Sequence, residues 1–192
     1  MPIFAVLAED RSDTDSLVVL VKRISGRSNA TVFSKGFSGC GELCRKAGIH
    51  IRSFADRGAS HFIICHDADE SDPQEIKAKV ETAIKNKIPT DFEYCIVVPV
   101  QELEAWIIAD AEAIRKAIPT FELKAVLMPE TINSPKEWLV RESRKGRSRP
   151  LYVPTIHNAK VAQHIDLDRL DKKCPSFRPL KEFVSPPNKS PA

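Results

Sequence analysis

The sequence predicts an α/β fold built around a mostly parallel central sheet that is flanked by helices. Three short apolar runs rich in β-branched residues, at 3–8, 62–66 and 94–100, are typical of buried strands. Segments in which apolar residues recur at helical spacing lie between these runs. Strands that alternate with helices favour right-handed crossovers, so these two patterns together predict a parallel sheet.

Spacing and helix-breaking residues place the elements in chain order. Asp72 and Pro73 open one helix as its cap and its first residue, Gly58 ends another, and Pro119 closes a third. The predicted order is strand 3–8, helix 13–24, strand 30–33, helix 42–57, strand 62–66, helix 73–87, strand 93–100 and helix 102–118. The glycine-punctuated turn at 35–41 has no P-loop or dinucleotide-binding pattern, so we predict no nucleotide cradle there.

Beyond Pro119 the chain changes character, because prolines punctuate short segments. Helices are predicted at 135–144, 158–171 and 177–183. We divide the chain into an α/β core at 1–118, a helical and loop C-terminal extension at 119–184 that packs on the core, and a tail at 185–192. The tail has three prolines and little apolar content, which predicts disorder.

Length and composition indicate an ordinary globular chain. It has 192 residues and a net charge of +3, and no apolar run is long enough to cross a bilayer, so no membrane partner is expected. The five cysteines are odd in number, and Cys65 and Cys95 lie in predicted strands, which indicates reduced thiols in a cytoplasmic protein. No charged leader precedes the first strand, so we do not expect secretion.

Carboxylates follow each of the three apolar runs. Glu9 follows the first, Asp67 and Asp69 follow the second, and Glu102 and Glu104 follow the third. Because the carboxyl ends of parallel strands line one edge of a sheet, we expect these acids to converge there. Like charges in one place need a cation, and short, rigidly held carboxylates are good ligands for Mg²⁺, or for Mn²⁺. The sequence therefore predicts a divalent metal site.

Some of these acids also have a plainer interpretation. Asp69 could cap the following helix, whereas Asp67 comes directly after an apolar run and is too early for capping. Glu9 alone could be a surface acid, and its weight depends on the other acids at the same edge. Asp13 lies early in a predicted helix, where acids are expected in any case.

Helical geometry separates the two acids of the third run. If Glu102 and Glu104 were both helical, they would point about 200° apart. Glu104 lies beside the apolar stripe of its helix and is preferred, whereas Glu102 could be an ordinary first-turn acid. His66, His157 and His164 have no recognisable partner spacing, so we interpret each as a structural histidine.

Basic residues are concentrated in one segment of the C-terminal extension. A basic flank beside an acidic site suits a polyanion that is held in place by metal, and a solvated loop would explain the same run. Lys160 could bind phosphate and could equally be a surface lysine. The candidate nucleic-acid-binding residues are Arg141, Arg144, Lys145, Arg147, Arg149 and Lys160.

Several of these segments, covering about residues 3 to 184, resemble known families. Leu7 to Asp13 resembles the Glu-Gly-x-Ser/Thr-Glu element that opens Toprim domains of overcoming-lysogenisation-defect nucleases, and Asp67-Ala68-Asp69 resembles the Toprim Asp-x-Asp. Residues 102–110 look like the Glu-x-Glu-Ala-Trp-Leu-x-Ala-Asp segment of an uncharacterised bacterial Toprim-like family. The C-terminal pattern of that family is echoed by Tyr152, Lys160, Ile165-Asp166-Leu167 and Pro175-Ser176-Phe177.

The resemblance implies a Toprim-like Rossmannoid fold and magnesium-dependent phosphodiester chemistry. It implies Glu9 as a general acid/base or metal ligand, Asp67 and Asp69 as metal ligands, and Glu104 as a further ligand. Members of the family often occur beside an ATPase of the AAA or ABC class in phage-defence settings. The resemblance therefore implies an ATPase partner and a nucleic acid, for which we favour DNA over RNA without separating the two.

The chain departs from the Toprim pattern at two positions. Asp10 stands where Gly is usual, and Asp13 stands where Glu is usual. We expect Asp10 to alter the tight strand-to-helix turn, because Gly adopts backbone angles that Asp rarely adopts. The departures therefore make activity a weaker expectation than fold.

The residues and the resemblance suggest three functions. The leading hypothesis is a metal-dependent nuclease that acts as an effector with a partner ATPase in anti-phage defence. The alternative is a catalytically silent binding or regulatory subunit of such a complex. A phosphatase of the haloacid-dehalogenase type is disfavoured, because the nucleophile of that family leaves the first strand, whereas Asp67 follows a later one. Self-association is left open.

Overall fold

A computed structural model describes residues 2–186 of the chain. Four strands form one sheet in the order β2-β1-β3-β4, and each adjacent pair is parallel. The strands are β1 (Phe4–Ala8), β2 (Val32–Gly36), β3 (His61–Cys65) and β4 (Glu93–Val97). The predicted α/β class with a parallel central sheet is confirmed. Most of the tail predicted at 185–192 lies outside the described residues.

Helices connect the strands and continue after β4. They are α1 (Arg11–Ile24), α2 (Cys40–Asp56), α3 (Pro73–Ile84), α4 (Glu104–Ile108), α5 (Ala111–Ala117), α6 (Pro135–Arg144), α7 (Pro154–Ala162), α8 (Leu167–Lys173) and α9 (Arg178–Val184). Asp72 caps α3 as predicted, since its Oδ1 accepts the Gln74 N–H at 2.6 Å. Within residues 2–186, no helix combines the length and the apolar character needed to cross a membrane.

The second strand begins later than predicted and includes a glycine that was assigned to a turn. Ala8 of β1 pairs with Gly36, so the ladder with β1 extends β2 into that turn. A Cβ atom on residue 36 would lie 2.6 Å from the Asp10 carbonyl oxygen. Glycine at 36 therefore allows β2 to approach the start of α1, next to the predicted site.

The predicted helix at 102–118 is two helices. Residues 102 and 103 precede α4, and the helix is interrupted between α4 and α5. Asp110 marks the break, because its Oδ1 accepts the N–H groups of Glu112 and Ala113 at 3.1 and 3.3 Å and so caps α5. A helical apolar pattern runs through the break, which explains why spacing alone predicted one helix.

The sheet separates two hydrophobic clusters. Ala5 and Leu7 of β1 pack with α2 and α3 on one face, whereas Phe4, Val6 and Ala8 pack on the other face with α1 and α4. The second of these clusters also contains buried residues of the C-terminal segment, among them Leu139, Tyr152, Val161, Leu170 and Leu180. The segment at 119–184 therefore shares a core with the sheet and can supply side chains to the edge where the acids lie.

Candidate functional site

The ends of β1 and β3 bring Glu9 and His66 together. Leu7 pairs with Ile64, and the same register continued by two residues sets Glu9 opposite His66. The His66 Nδ1 lies 2.8 Å from Glu9 Oε1, and the Asp67 N–H donates to the same oxygen at 2.9 Å. The predicted convergence of the first two strand ends thus rests on a direct hydrogen bond from Asp67 to Glu9 and on the close His66–Glu9 contact.

Asp67 has a buried oxygen without a partner. Its Oδ1 accepts no hydrogen bond from residues 2–186. Burial raises the pKa of Asp67 well above its usual range, and the charges of Asp13, Glu104 and Glu9 raise it further. An unpaired buried acceptor costs about 1–3 kcal/mol, so this atom is where a proton or a cation would stabilise the protein.

Asp69 is not equivalent to Asp67. The backbone after β3 stays beside the segment after β4, since the Ala68 N–H donates to the Pro99 carbonyl at 3.1 Å. Asp69 then adopts a left-handed backbone with φ of 43°, and its side chain is exposed. Partial burial and the charge of Glu9 raise its pKa. Asp69 therefore lies at the rim of the site, and it does not cap α3.

Asp13 is buried, which the sequence interpretation as an ordinary first-turn acid missed. It is 5% exposed, and burial together with the charges of Asp10 and Glu104 raises its pKa to about 8. The signal available in the sequence was its position in the segment that resembles the Toprim element. Asp13 therefore joins the group of acids at the sheet edge.

The expectation that Asp10 would distort the turn is wrong. Asp10 has φ of −138° and ψ of 179°, an extended conformation that any residue adopts. Its Oδ1 accepts the Asp13 N–H at 3.0 Å and the Ser12 hydroxyl at 2.8 Å, so Asp10 is the N-cap of α1. No glycine is needed here, and the cap fixes the first turn that carries Asp13.

Glu104 lies inside the site, whereas Glu102 binds a neighbouring helix. Glu104 is 1% exposed, and its Oε1 accepts the Asn158 side-chain amide at 2.9 Å. The Tyr152 hydroxyl donates to the other end of the Asn158 amide. Burial raises the pKa of Glu104. Glu102 precedes α4, and its Oε2 accepts the Lys136 N–H at 2.9 Å in the first turn of α6.

Lys136 adds a positive charge that the sequence analysis did not identify. Its Nζ lies 3.7 Å from Asp10 Oδ2. Burial lowers the pKa of Lys136, but the charges of Glu104, Asp10 and Asp13 outweigh burial and raise it. A lysine in the first turn of a helix is disfavoured by the helix dipole, and this was the signal of an acidic neighbour. We call the group formed by Glu9, Asp10, Asp13, Asp67 and Glu104 the acidic cluster.

The acidic cluster has the donor atoms of a metal site without a finished coordination shell. Among residues 2–186, no three His, Cys, Asp or Glu side chains already form a metal-binding arrangement. The charges of Glu9 and Glu104 nevertheless raise the pKa values of both Asp13 and Asp67, and Asp67 Oδ1 is a buried acceptor that lacks a partner within residues 2–186. Oxygen donors of this kind fit Mg²⁺ or Mn²⁺. Binding would require the side chains to move and to release protons.

The basic segment lies at the far end of α6 from the acidic cluster. Arg141, Arg144, Lys145, Arg147 and Arg149 are all exposed. Helical rise places residue 144 about 12 Å beyond residue 136. Lys160 is exposed on α7, two residues after Asn158 and hence about 200° around the helix from it. The structure therefore does not bring Lys160 to the face of α7 that contacts Glu104.

Several residues of the motif segments have structural roles. Asp110 is 2% exposed, and its two oxygens accept the Asp166 N–H at 2.9 Å and the Arg169 guanidinium in addition to the α5 cap. Trp106 is buried, and its Nε1–H donates to the Ser176 hydroxyl at 2.8 Å. The C-terminal motif residues thus hold the 102–110 segment, and through it Glu104, in place.

One family model, described as a domain of unknown function (DUF4276), matches residues 8–184 of the chain. The matched span contains every member of the acidic cluster, together with Lys136 and the C-terminal helices. No curated protein and no solved structure gives a significant match.

Proposed function

The chain belongs to the family described as a domain of unknown function (DUF4276), and we propose that it is a divalent-cation-dependent nuclease that hydrolyses phosphodiester bonds at the acidic cluster. The observation that carries the proposal is the buried, unpaired Asp67 Oδ1 among carboxylates that raise its pKa. Such a group is stabilised by a cation, and Mg²⁺ or Mn²⁺ suits its donors. The Toprim resemblance and the partner ATPase in phage defence stay predictions.

The residues of the cluster would divide the work. Asp67, Asp13 and Glu104 supply the oxygens that would hold the cation, which when bound polarises a phosphodiester and lowers the pKa of water. Glu9 Oε1 is occupied by two donors, and Glu9 Oε2 accepts no hydrogen bond from residues 2–186. Glu9 Oε2 is therefore available to accept a proton from water. The Lys136 ammonium is a positive charge for a phosphate beside the cluster.

The basic segment supports a nucleic acid as the substrate. Its residues begin on the same helix that places Lys136 beside the cluster. The distance of about 12 Å along α6 corresponds to about three to four nucleotides of one strand at ~3.4 Å each. A strand whose phosphate lies at Lys136 would then reach Arg144 with its flanking nucleotides, which favours DNA or RNA over a small phosphate ester.

The proposal is tested by cleavage of plasmid and single-stranded DNA with Mg²⁺ or Mn²⁺, with and without any ATPase encoded beside this chain. Asp67→Asn keeps the side-chain shape and removes the charge, so we expect the rate to fall at least about 100-fold while the melting temperature stays the same or rises. The matched control is Asp91→Asn, because Asp91 is exposed and precedes β4 at the opposite edge of the sheet. An Asp67→Asn protein that cleaves as fast as the control would refute the proposal.

The silent binding subunit is a second candidate that one observation favours. Lys136 already gives the acidic cluster a positive charge, so an internal cation could replace a metal. Calorimetric titration of wild type and Lys136→Met with Mn²⁺ and Mg²⁺ separates the nuclease from the silent subunit. Binding by wild type supports the nuclease. Binding by Lys136→Met alone supports the silent subunit.

A further inference from the structure

His66 makes contacts that fix which of its ring nitrogens carries a proton. The residue follows β3 and is 3% exposed. Its Nδ1 lies 2.8 Å from Glu9 Oε1 and 2.6 Å from the Asp67 carbonyl oxygen. A carboxylate oxygen and a carbonyl oxygen are both acceptors, so Nδ1 must be the donor whichever charge the ring carries. Within residues 2–186, the buried Nε2 has no hydrogen-bond partner.

The two donors immobilise Glu9 through one oxygen. Oε1 accepts the Asp67 N–H, and it also lies 2.8 Å from His66 Nδ1, whose single N–H is shared between Oε1 and the Asp67 carbonyl oxygen. Both donors belong to the chain that leaves β3. Ordering a glutamate side chain costs conformational entropy, so fixed donors are needed to hold it in one rotamer. Because both donors act on Oε1, the lone pairs of Oε2 remain free for a bound group such as a cation or a water molecule.

We propose that His66 is a positioning residue for Glu9: the His66 Nδ1–H, which Oε1 and the Asp67 carbonyl oxygen share, holds Oε1 so that Oε2 is presented as a free acceptor of the acidic cluster. The part of this inference that concerns activity rests on the proposed nuclease function. A purely structural histidine would need only to fill its space. A positioning histidine needs a donor at the position of Nδ1, because a carboxylate that acts on a bound cation or water must be oriented by its neighbours.

Paired substitutions separate the two roles. Asparagine places an amide nitrogen near the position of Nδ1, whereas glutamine places one near Nε2. We expect His66→Asn to keep kcat within about fivefold of wild type, and His66→Gln and His66→Ala to lose about 10- to 100-fold in kcat, with KM for DNA changed less than about twofold. Equal rates for all three variants, or a glutamine variant faster than the asparagine variant, would overturn the inference.

A spectroscopic measurement on the metal-free protein does not depend on cleavage. In ¹⁵N-labelled protein we expect the His66 Nδ1 to carry a proton whose resonance lies downfield and moves upfield in Glu9→Gln. A ring protonated only at Nε2, or a resonance unchanged in Glu9→Gln, overturns the positioning role. The expected spectra together with an inactive wild-type protein would overturn the nuclease proposal and leave the positioning role standing. If a His66 variant does not fold, these spectra decide alone.

Discussion

Asp110 and Asp67 each bury carboxylate oxygens, and their surroundings are opposite. Both oxygens of Asp110 are paired, with the N–H groups that start α5, with the Asp166 N–H and with the Arg169 guanidinium. Asp67 Oδ1 has no partner within residues 2–186, and the groups that most raise its pKa besides burial are the acids Asp13 and Glu104.

The difference teaches that burial of an acid does not by itself mark a functional site. The contacts of Asp110 have a structural role, because this one side chain connects the start of α5 to the start of α8. The surroundings of Asp67 lower the stability of the protein, since like charges and a missing partner both disfavour the ionised form. A cost of that kind is expected where a protein binds something.

The largest expected effect is a difference in the free energy of unfolding between variants of Asp110 and Asp67. Asp110→Ala removes a helix cap, the acceptor for Asp166 and the partner of Arg169, so we expect the free energy of unfolding at pH 7 to fall by about 3–4 kcal/mol. Asp67→Asn in the metal-free protein removes repulsion and should change it by less than about 1 kcal/mol, or raise it. Urea denaturation measures both. A larger loss for Asp67→Asn than for Asp110→Ala would show that the two acids have been assigned the wrong way round.

The sequence could predict the parallel sheet and the position of Asp67, because both depend on local patterns. An apolar run followed by an acid predicts a strand end, and the carboxyl ends of parallel strands share an edge. The same reasoning could not separate Asp67 from Asp110, since each follows apolar residues. The difference between them comes from Arg169 and Asp166, which are distant in sequence and have no fixed spacing from either acid.

The rest of the site depends on tertiary contacts that leave little trace in the sequence. Asn158 contacts Glu104 across 54 positions, and Lys136 reaches Asp10 from a different helix. The sequence predicts Asp13 to be an ordinary first-turn acid, because such acids are common, and only packing shows that it is buried. His66 was interpreted as structural, although its Nδ1 contacts Glu9.

A smaller expected effect is the pH dependence of the free energy of unfolding that the buried Asp13 causes. The pKa of Asp13 is about 8 in the folded protein, against about 3.9 in an unfolded chain. Between these pH values the folded state keeps a proton that the unfolded state has lost, so the free energy of unfolding falls as pH rises from about 4 to about 8. Asp13→Asn cannot ionise and should gain on wild type by about 2 kcal/mol between pH 5 and pH 8, because the coupled acids share the proton.

Urea denaturation of wild type and Asp13→Asn at pH 5 and pH 8 measures this difference. Asp168→Asn is the matched control, since Asp168 is an exposed acid in the first turn of α8. Mg²⁺ should stabilise wild type at pH 8 more than at pH 5, because a cation competes with protons for the same oxygens. A stability difference that does not change with pH would contradict the burial of an ionisable Asp13.

The smallest expected effect tests whether a nucleic acid reaches Asp67 along α6. Arg144 is exposed at the end of this helix, about 12 Å from Lys136, and would bind a phosphate without touching the acidic cluster. Arg144→Ala should weaken binding of single-stranded DNA about twofold to fivefold and reduce the slope of log affinity against log salt by about 0.7.

Arg52→Ala is the control, because Arg52 is exposed on α2, which packs on the opposite face of the sheet. Fluorescence anisotropy at several salt concentrations measures both variants. Equal slopes for the two variants would remove the basic segment from the binding surface, and the case for a nucleic acid would then depend on Lys136 alone.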